Sequence, residues 1–192
     1  MSISLAKGQA ISLEKADHTP LHRIRLGLGW DAAPRGLFGG RSKDVDLDAS
    51  VILFAGQKAV DIVYYGQLRS QDGAIVHSGD NRTGDGNGDD EQILLDLANL
   101  PEHIDGLALV ITSYTGQTFN DVRNVYARVN DVAALDEEVI RYDLAETGPH
   151  TGSVIAKLTR SANGWKFTAL GVPANGKVAK DLVPTALAHI SQ

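Results

Sequence analysis

The sequence predicts an all-β protein, an antiparallel β-sandwich with short helical segments that include a C-terminal helix. Three observations lead there. Short runs rich in Val, Ile and Leu recur along the chain, Gly with Asp or Asn punctuates nearly every gap, and Asn163-Gly164 lies between two β-type runs as a strong hairpin signal. Many short strands joined by Gly-rich turns favour a sandwich over alternating β and α units. Neither an internal repeat nor a linker divides the 192 residues, so one domain spanning 1–192 is expected.

Taken in order, Ile3, Leu5, Ile11 and Leu13 alternate with polar neighbours around Gly8, a pattern that predicts an opening hairpin. Strands are expected at residues 21–28, 49–55, 59–65, 92–97 and 107–112. The last is a continuous apolar run, suited to a strand covered on both faces. Residues 122–129 suit a strand or a helix, because Val122, Val125, Tyr126 and Val129 also keep helical spacing. Strands follow at 139–144, 153–160 and 165–170. From 178 to 190, Ala, Leu and Val recur every three or four residues, which predicts a helix whose start is limited by Pro184. Trp30, Trp165, Phe119 and Phe167 are expected to fill the core.

Composition excludes several functions. The net charge is −6 and no basic run appears, which argues against nucleic acid as a partner. Without cysteine the chain has no disulfide, thiolate metal site, Fe–S cluster or thiol redox chemistry of its own. The N-terminal alternation is unlike a signal peptide, and no apolar run approaches the roughly 20 residues of a membrane helix. A cytoplasmic location is expected, with contact at the inner membrane only through partners.

The chemistry concentrates in GDNRTGDGNGDDE (residues 79–91), where five carboxylates and four glycines share thirteen positions with one arginine. Carboxylates about 4 Å apart repel by roughly 4 kcal/mol at an effective dielectric of about 20, so an ordered loop of this composition calls for a cation. Asp80, Asn81, Asp85, Asn87, Asp89, Asp90 and Glu91 offer side-chain oxygens, and glycines let the backbone converge them. The spacing Asp85-x-Asn87-x-Asp89 matches the first half of an EF-hand loop, but Asp90 stands where that loop needs Gly and the closing glutamate is missing. In KDVDLDAS, Asp44, Asp46 and Asp48 share one face if the segment is extended, and Asp31 in GLGWD offers a third contribution. A solvated acidic loop is the plain alternative. The surplus of oxygens favours calcium over magnesium, which keeps more water.

GLGWD (residues 27–31), DLDAS (46–50) and GDNRTGDGNGDDE stand in the order that marks the TerD family of bacterial tellurite-resistance and stress-response proteins, which the chain resembles over nearly its whole length. LFGG (37–40), SYTGQTFNDV (113–122) and HTGSVI (150–155) make it most similar to the TerZ-like branch. The resemblance implies a β-sandwich holding calcium, with two ions expected. It carries ligand roles onto Asp46, Asp48, Asp80, Asp85, Asp89, Asp90 and Glu91, with Asp31 beside them. Asp85 is often glutamate in the family and Asn87 often aspartate, so this loop has one negative charge fewer. The resemblance also implies a role in resistance to tellurite and other stresses alongside other Ter-type proteins and a membrane-embedded partner. Tellurite is most readily detoxified by thiol reduction, which a chain without cysteine cannot perform, so the role expected is indirect.

Other signals are weaker. Pro20 breaks any helix that would align His18 with His22 as a zinc pair, and His77, His103 and His150 each stand alone in sequence. The Gly-rich loop lacks the Gly-Lys-Ser/Thr of a phosphate cradle, and no Gly-x-Ser-x-Gly elbow appears. The segment GLFGG (36–40) suits either a contact patch or a tucked turn. A non-enzymatic calcium-dependent scaffold or sensor is therefore the leading expectation. A two-metal-dependent hydrolase, for which no His or Lys accompanies the acids, and a calcium-bridged ligand-binding module are the alternatives.

Overall fold

In a computed structural model, residues 2–32, 46–79 and 88–190 are described. Among these residues, twelve strands form two six-stranded sheets packed face to face. In chain order they are β1 (Ile3–Ser4), β2 (Ala10–Ser12), β3 (Arg23–Ala32), β4 (Asp48–Ala55), β5 (Lys58–Val63), β6 (Ile75–His77), β7 (Glu91–Asp96), β8 (Gly106–Thr112), β9 (Val122–Asp131), β10 (Glu137–Asp143), β11 (Gly152–Ser161) and β12 (Gly164–Ala174). The first sheet runs β1-β10-β9-β3-β7-β6 and the second β2-β12-β11-β8-β4-β5. All pairings are antiparallel except β1 with β10.

The inner faces make one core. Leu26, Leu28, Ile93, Val129, Leu107, Leu109 and Phe167 are all wholly buried in it, as period-two alternation on facing strands requires. Phe119, Trp30 and Trp165 are buried there too. Residues 122–129 settle as strand: Val125, Ala127 and Val129 turn inward at a spacing of two. Paired on both sides, by β3 and β10, this segment has its backbone groups satisfied by the sheet.

The unbroken apolar runs of β4 and β8 have a different cause. Leu107, Leu109 and Ile111 face the sandwich core, while Ala108 and Val110, with Ile52 and Phe54 of β4, face a second cluster outside the sheet. That cluster is covered by one turn of 3₁₀ helix, Ala179–Leu182, and helix α1, Val183–Ile190. Pro184 sits in the first turn of α1, where its missing N–H costs nothing. Asp181 accepts the Lys177 and Val178 backbone N–H groups at 2.9 and 3.2 Å and so caps the entry. At the other end Lys157 donates to the His189 carbonyl at 2.6 Å, a cation placed at the negative end of the helix.

The chain opening differs from expectation. Gly8 does turn the backbone, with φ of +81°, but β1 and β2 join different sheets, so no hairpin forms. Each strand finds a long-range partner whose edge it covers, β1 on β10 and β2 on β12, a choice that local alternation does not encode. The expected hairpin at Asn163-Gly164 is present, with Ser161 paired to Gly164.

Leu182 is wholly buried beneath the helix layer. Leu182→Ala should lower unfolding stability by about 2–5 kcal/mol, measured by urea denaturation, through lost transfer energy and the cavity left behind.

Candidate acidic site at one end of the sandwich

Three acidic segments converge at one end of the sandwich. Leu28 of β3 pairs with Glu91 at the start of β7, so Asp31 at the end of β3 and Asp89, Asp90 and Glu91 lie close together. The Ala49 N–H donates to Glu91 Oε2 at 2.6 Å across the gap between the sheets, which brings the start of β4, with Asp48 and the preceding Asp46, to the same end. Asp80, Asn81, Asp85 and Asn87 lie outside the described residues, as do Asp44 and the GLFGG segment.

The three consecutive acids take three different environments. Asp89 folds onto the outer face of the first sheet, where the Arg128 Nε donates to its carboxylate at 2.6 Å and the Tyr126 hydroxyl donates at 3.3 Å. Two glycines of GLGWD make room for this arrangement. A Cβ on Gly27 would collide with the Asp89 carboxylate, and one on Gly29 with the Tyr126 ring. Burial, with the Asp89 charge next, pushes the Tyr126 phenol up to about 12.

Glu91 points the other way and is fully buried between the sheets. Besides the Ala49 N–H, its carboxylate has the His77 Nε2 at 3.5 Å. His77 accepts the Gly79 N–H at Nδ1 (3.0 Å), so a neutral ring carries its proton on Nε2 and donates to the Ala49 carbonyl at 3.1 Å. Burial and this backbone partnership give His77 a structural place beside the acids that its isolation in sequence concealed.

Asp90 stays at the sandwich end. It accepts the Trp30 N–H at 2.8 Å, while burial, joined by the charges of Asp31, Asp89 and Glu91, holds its carboxyl above the ordinary carboxylate range. Asp90 and Asp31 border a polar cavity of about 490 Å³, together with Asn124, Tyr126, Arg141 and Asp143. The Arg141 guanidinium stacks over the Tyr126 ring at 4.1 Å, and Asn124, at φ of +52°, donates to Asp31 at 2.7 Å. None of these four partners has a sequence signal beyond its residue type.

The donor chemistry suits a hard cation in part. Asp31, Asp46, Asp48 and Asp90 supply carboxylate oxygens at one end, and the mutual repulsion at Asp90 is of the kind a cation relieves. Asp89 and Glu91 already have internal partners in Arg128, Ala49 and His77. Among the described residues no three Asp, Glu or His side chains are gathered closely enough to hold a metal by themselves.

His150 is 7% exposed, stacks on Phe119 with ring centroids 4.6 Å apart, and its Nε2 makes no hydrogen bond among the described residues. Burial, outweighing the attraction of Glu146, lowers its pKa below the ordinary 6.5. The unfolded chain therefore binds a proton at His150 more readily than the folded one, and stability should fall as pH drops below 6.5. The melting midpoint of His150→Phe should decline less than the wild type's between about pH 7 and pH 5. Arg128→Met leaves the buried Asp89 carboxylate without its cation and should cost about 2–3 kcal/mol in chemical denaturation, the Arg side chain being 24% exposed.

Comparison with known proteins places these features. The TerD domain family model matches residues 1–183. The chain is 43% identical over 186 residues to the tellurium resistance protein TerZ of Serratia marcescens, covering 94% of each sequence. It is 38% identical over 197 residues to the stress response protein SCP2 of Bacillus subtilis, covering 95% of this chain and 98% of that one. Among solved structures, a homologue of the telluride resistance protein TerD from Streptomyces coelicolor superposes with a TM-score of 0.68 at 24% identity, over 85% of this chain and 95% of that one, and shares the fold. Matched by the family model over residues 1–183 and by relatives over most of its length, the chain belongs to the TerD domain family.

Proposed function

We propose that the protein is a non-enzymatic, calcium-dependent scaffold or sensor of the stress response, of the tellurite-resistance type. The observation that supports this reading is that the strand ends bearing Asp31, Asp46, Asp48 and Asp90 lie at the end of the sandwich where β7 begins, directly after the strongly acidic stretch 79–90 of the sequence. Two members of the acidic triplet are tied by Arg128, Ala49 and His77, and Asp90, which accepts the Trp30 N–H, is partly buried with like charges around it. Bound there, Ca²⁺ would supply the counter-charge, with Asp31, Asp46, Asp48 and Asp90 as its holders and Asp80, Asn81, Asp85 and Asn87 as further donors. The names of the relatives, a tellurium resistance protein and a stress response protein, support the physiological setting. The chain's lack of cysteine supports an indirect part in it. Among the described residues no helix is long and apolar enough to cross a membrane, which suits partners, other Ter-type proteins or a membrane-embedded one, as the route to any membrane contact.

The cavity beside Asp31 and Asp90 favours one second reading. It carries a guanidinium, Arg141, next to the acids, and so suits a ligand with an anionic group bridged by the ion.

An ion that binds only the native state stabilises it by about 2.7 kcal/mol at 100 times its dissociation constant. Calorimetric melting should show a calcium-dependent rise in midpoint that Asp48→Asn and Asp90→Asn each reduce. A midpoint indifferent to millimolar Ca²⁺ in the wild-type protein would rule the reading out.

A further inference from the structure

Two crossings between the sheets meet at Gly171 of β12. The segment from β1 to β2 passes from the first sheet to the second and carries Lys7, and the segment from β10 to β11 makes the same passage and carries Glu146. Lys7 Nζ donates to Glu146 Oε1 at 2.7 Å and to the Gly171 carbonyl at 2.8 Å, so one ammonium group ties both crossings to β12.

Gly171 lies in a bulge. Val154 pairs with Val172 and Ala156 with Ala169, which leaves Leu170 and Gly171 opposite Ile155 alone, and Gly171 takes a left-handed φ of +56°. A Cβ built there would stand 2.2 Å from the Tyr142 hydroxyl oxygen, 2.9 Å from Glu146 Oε2 and 3.0 Å from Leu144 Cδ1. The phenol and the carboxylate therefore face one small space that a side chain at this position would fill.

Both oxygens are buried, and neither makes a hydrogen bond among the described residues. Tyr142 as a whole is 2% exposed. Burial, with the Glu146 charge second, pushes its phenol up to about 12, so the hydroxyl keeps its proton at neutral pH. A buried donor and a buried acceptor left unpaired are each costly, and one molecule that accepts from the phenol and donates to the carboxylate satisfies both. It must be small enough for the space beside a glycine. It needs no charge, because Lys7 already neutralises Glu146. Water meets these requirements.

We propose that the Gly171 bulge forms a one-molecule site in which an internal water bridges the Tyr142 hydroxyl to Glu146 Oε2, completing a joint of Lys7, Glu146 and Tyr142 that fastens the two crossings together. The second crossing includes Leu144, which also lines the cavity beside Asp31 and Asp90, so the bridged joint holds one wall of that cavity in place.

A crystal structure of the full chain that resolves ordered waters should show one water within about 3.2 Å of both oxygens. Tyr142→Phe supplies a solution test of opposite sign for a bridged and an orphaned hydroxyl. Loss of a bridged hydroxyl should lower the folded-to-unfolded ratio in urea denaturation by at least about threefold, whereas removal of an orphan would raise it. A Tyr142→Phe variant as stable as the wild type or more so overturns the proposal. So does a crystal structure with a direct bond between Tyr142 and Glu146, an ion between them, or no density between the two oxygens.

Discussion

The Glu91 carboxylate, buried between two sheets, is the constraint on which the acidic end depends. A charge removed from water is tolerated only where its oxygens are satisfied, and here the Ala49 N–H supplies a 2.6 Å bond from the opposite sheet. That bond joins the start of β7 to the start of β4, two segments with no sequence proximity. His77 completes the joint by donating to the Ala49 carbonyl while its Nε2 sits 3.5 Å from Glu91. Sequence segments that are acidic for separate local reasons are thereby drawn to one end of the fold.

On the outer face of the same sheet, Asp89 performs the complementary task. Its pairing with Arg128 over Gly27 pulls the residue just before Asp90 flat against β3, and the Tyr126 hydroxyl also donates to the Gly88 carbonyl at 2.8 Å. With its neighbours tied in opposite directions, Asp90 is held at the tip by the Trp30 N–H, where burial first and then the nearby carboxylates raise its proton affinity. The motif GLGWD serves this geometry through its two glycines and the tryptophan backbone. Its only carboxylate, Asp31, borders the cavity.

Much of the fold was legible because burial imposes its period on the sequence. The run at β8 announced a strand covered on both faces, and the second cover proved to be the C-terminal helix that its own three-to-four spacing announced; β4, read only as a strand, shares that cover. Val122 to Val129 stayed ambiguous because a β-branched run can satisfy both periods, and only pairing with β3 and β10 decides it. The first hairpin was misjudged because alternation reveals a strand without revealing its partner. β6, three residues long, was too short to carry any pattern. At the site, residue type and spacing marked the acids, but the commitment of Asp89 to Arg128 and of Glu91 to Ala49 and His77 depends on contacts 39, 42 and 14 residues apart. Those contacts exist only once the sheets have formed.

The proposed role of calcium rests on electrostatics: acidic strand ends that share one end of a TerD-family sandwich would be stabilised by a doubly charged counter-ion. A calcium titration followed by backbone amide NMR tests that argument residue by residue. Calcium should produce saturable shifts at residues 28–31, 46–49 and 88–91, with the amides around Gly106 and Gly164, at the other end of the strands, unmoved. Shifts absent from the acidic end at saturating calcium, or spread without preference over both ends of the sandwich, would contradict it.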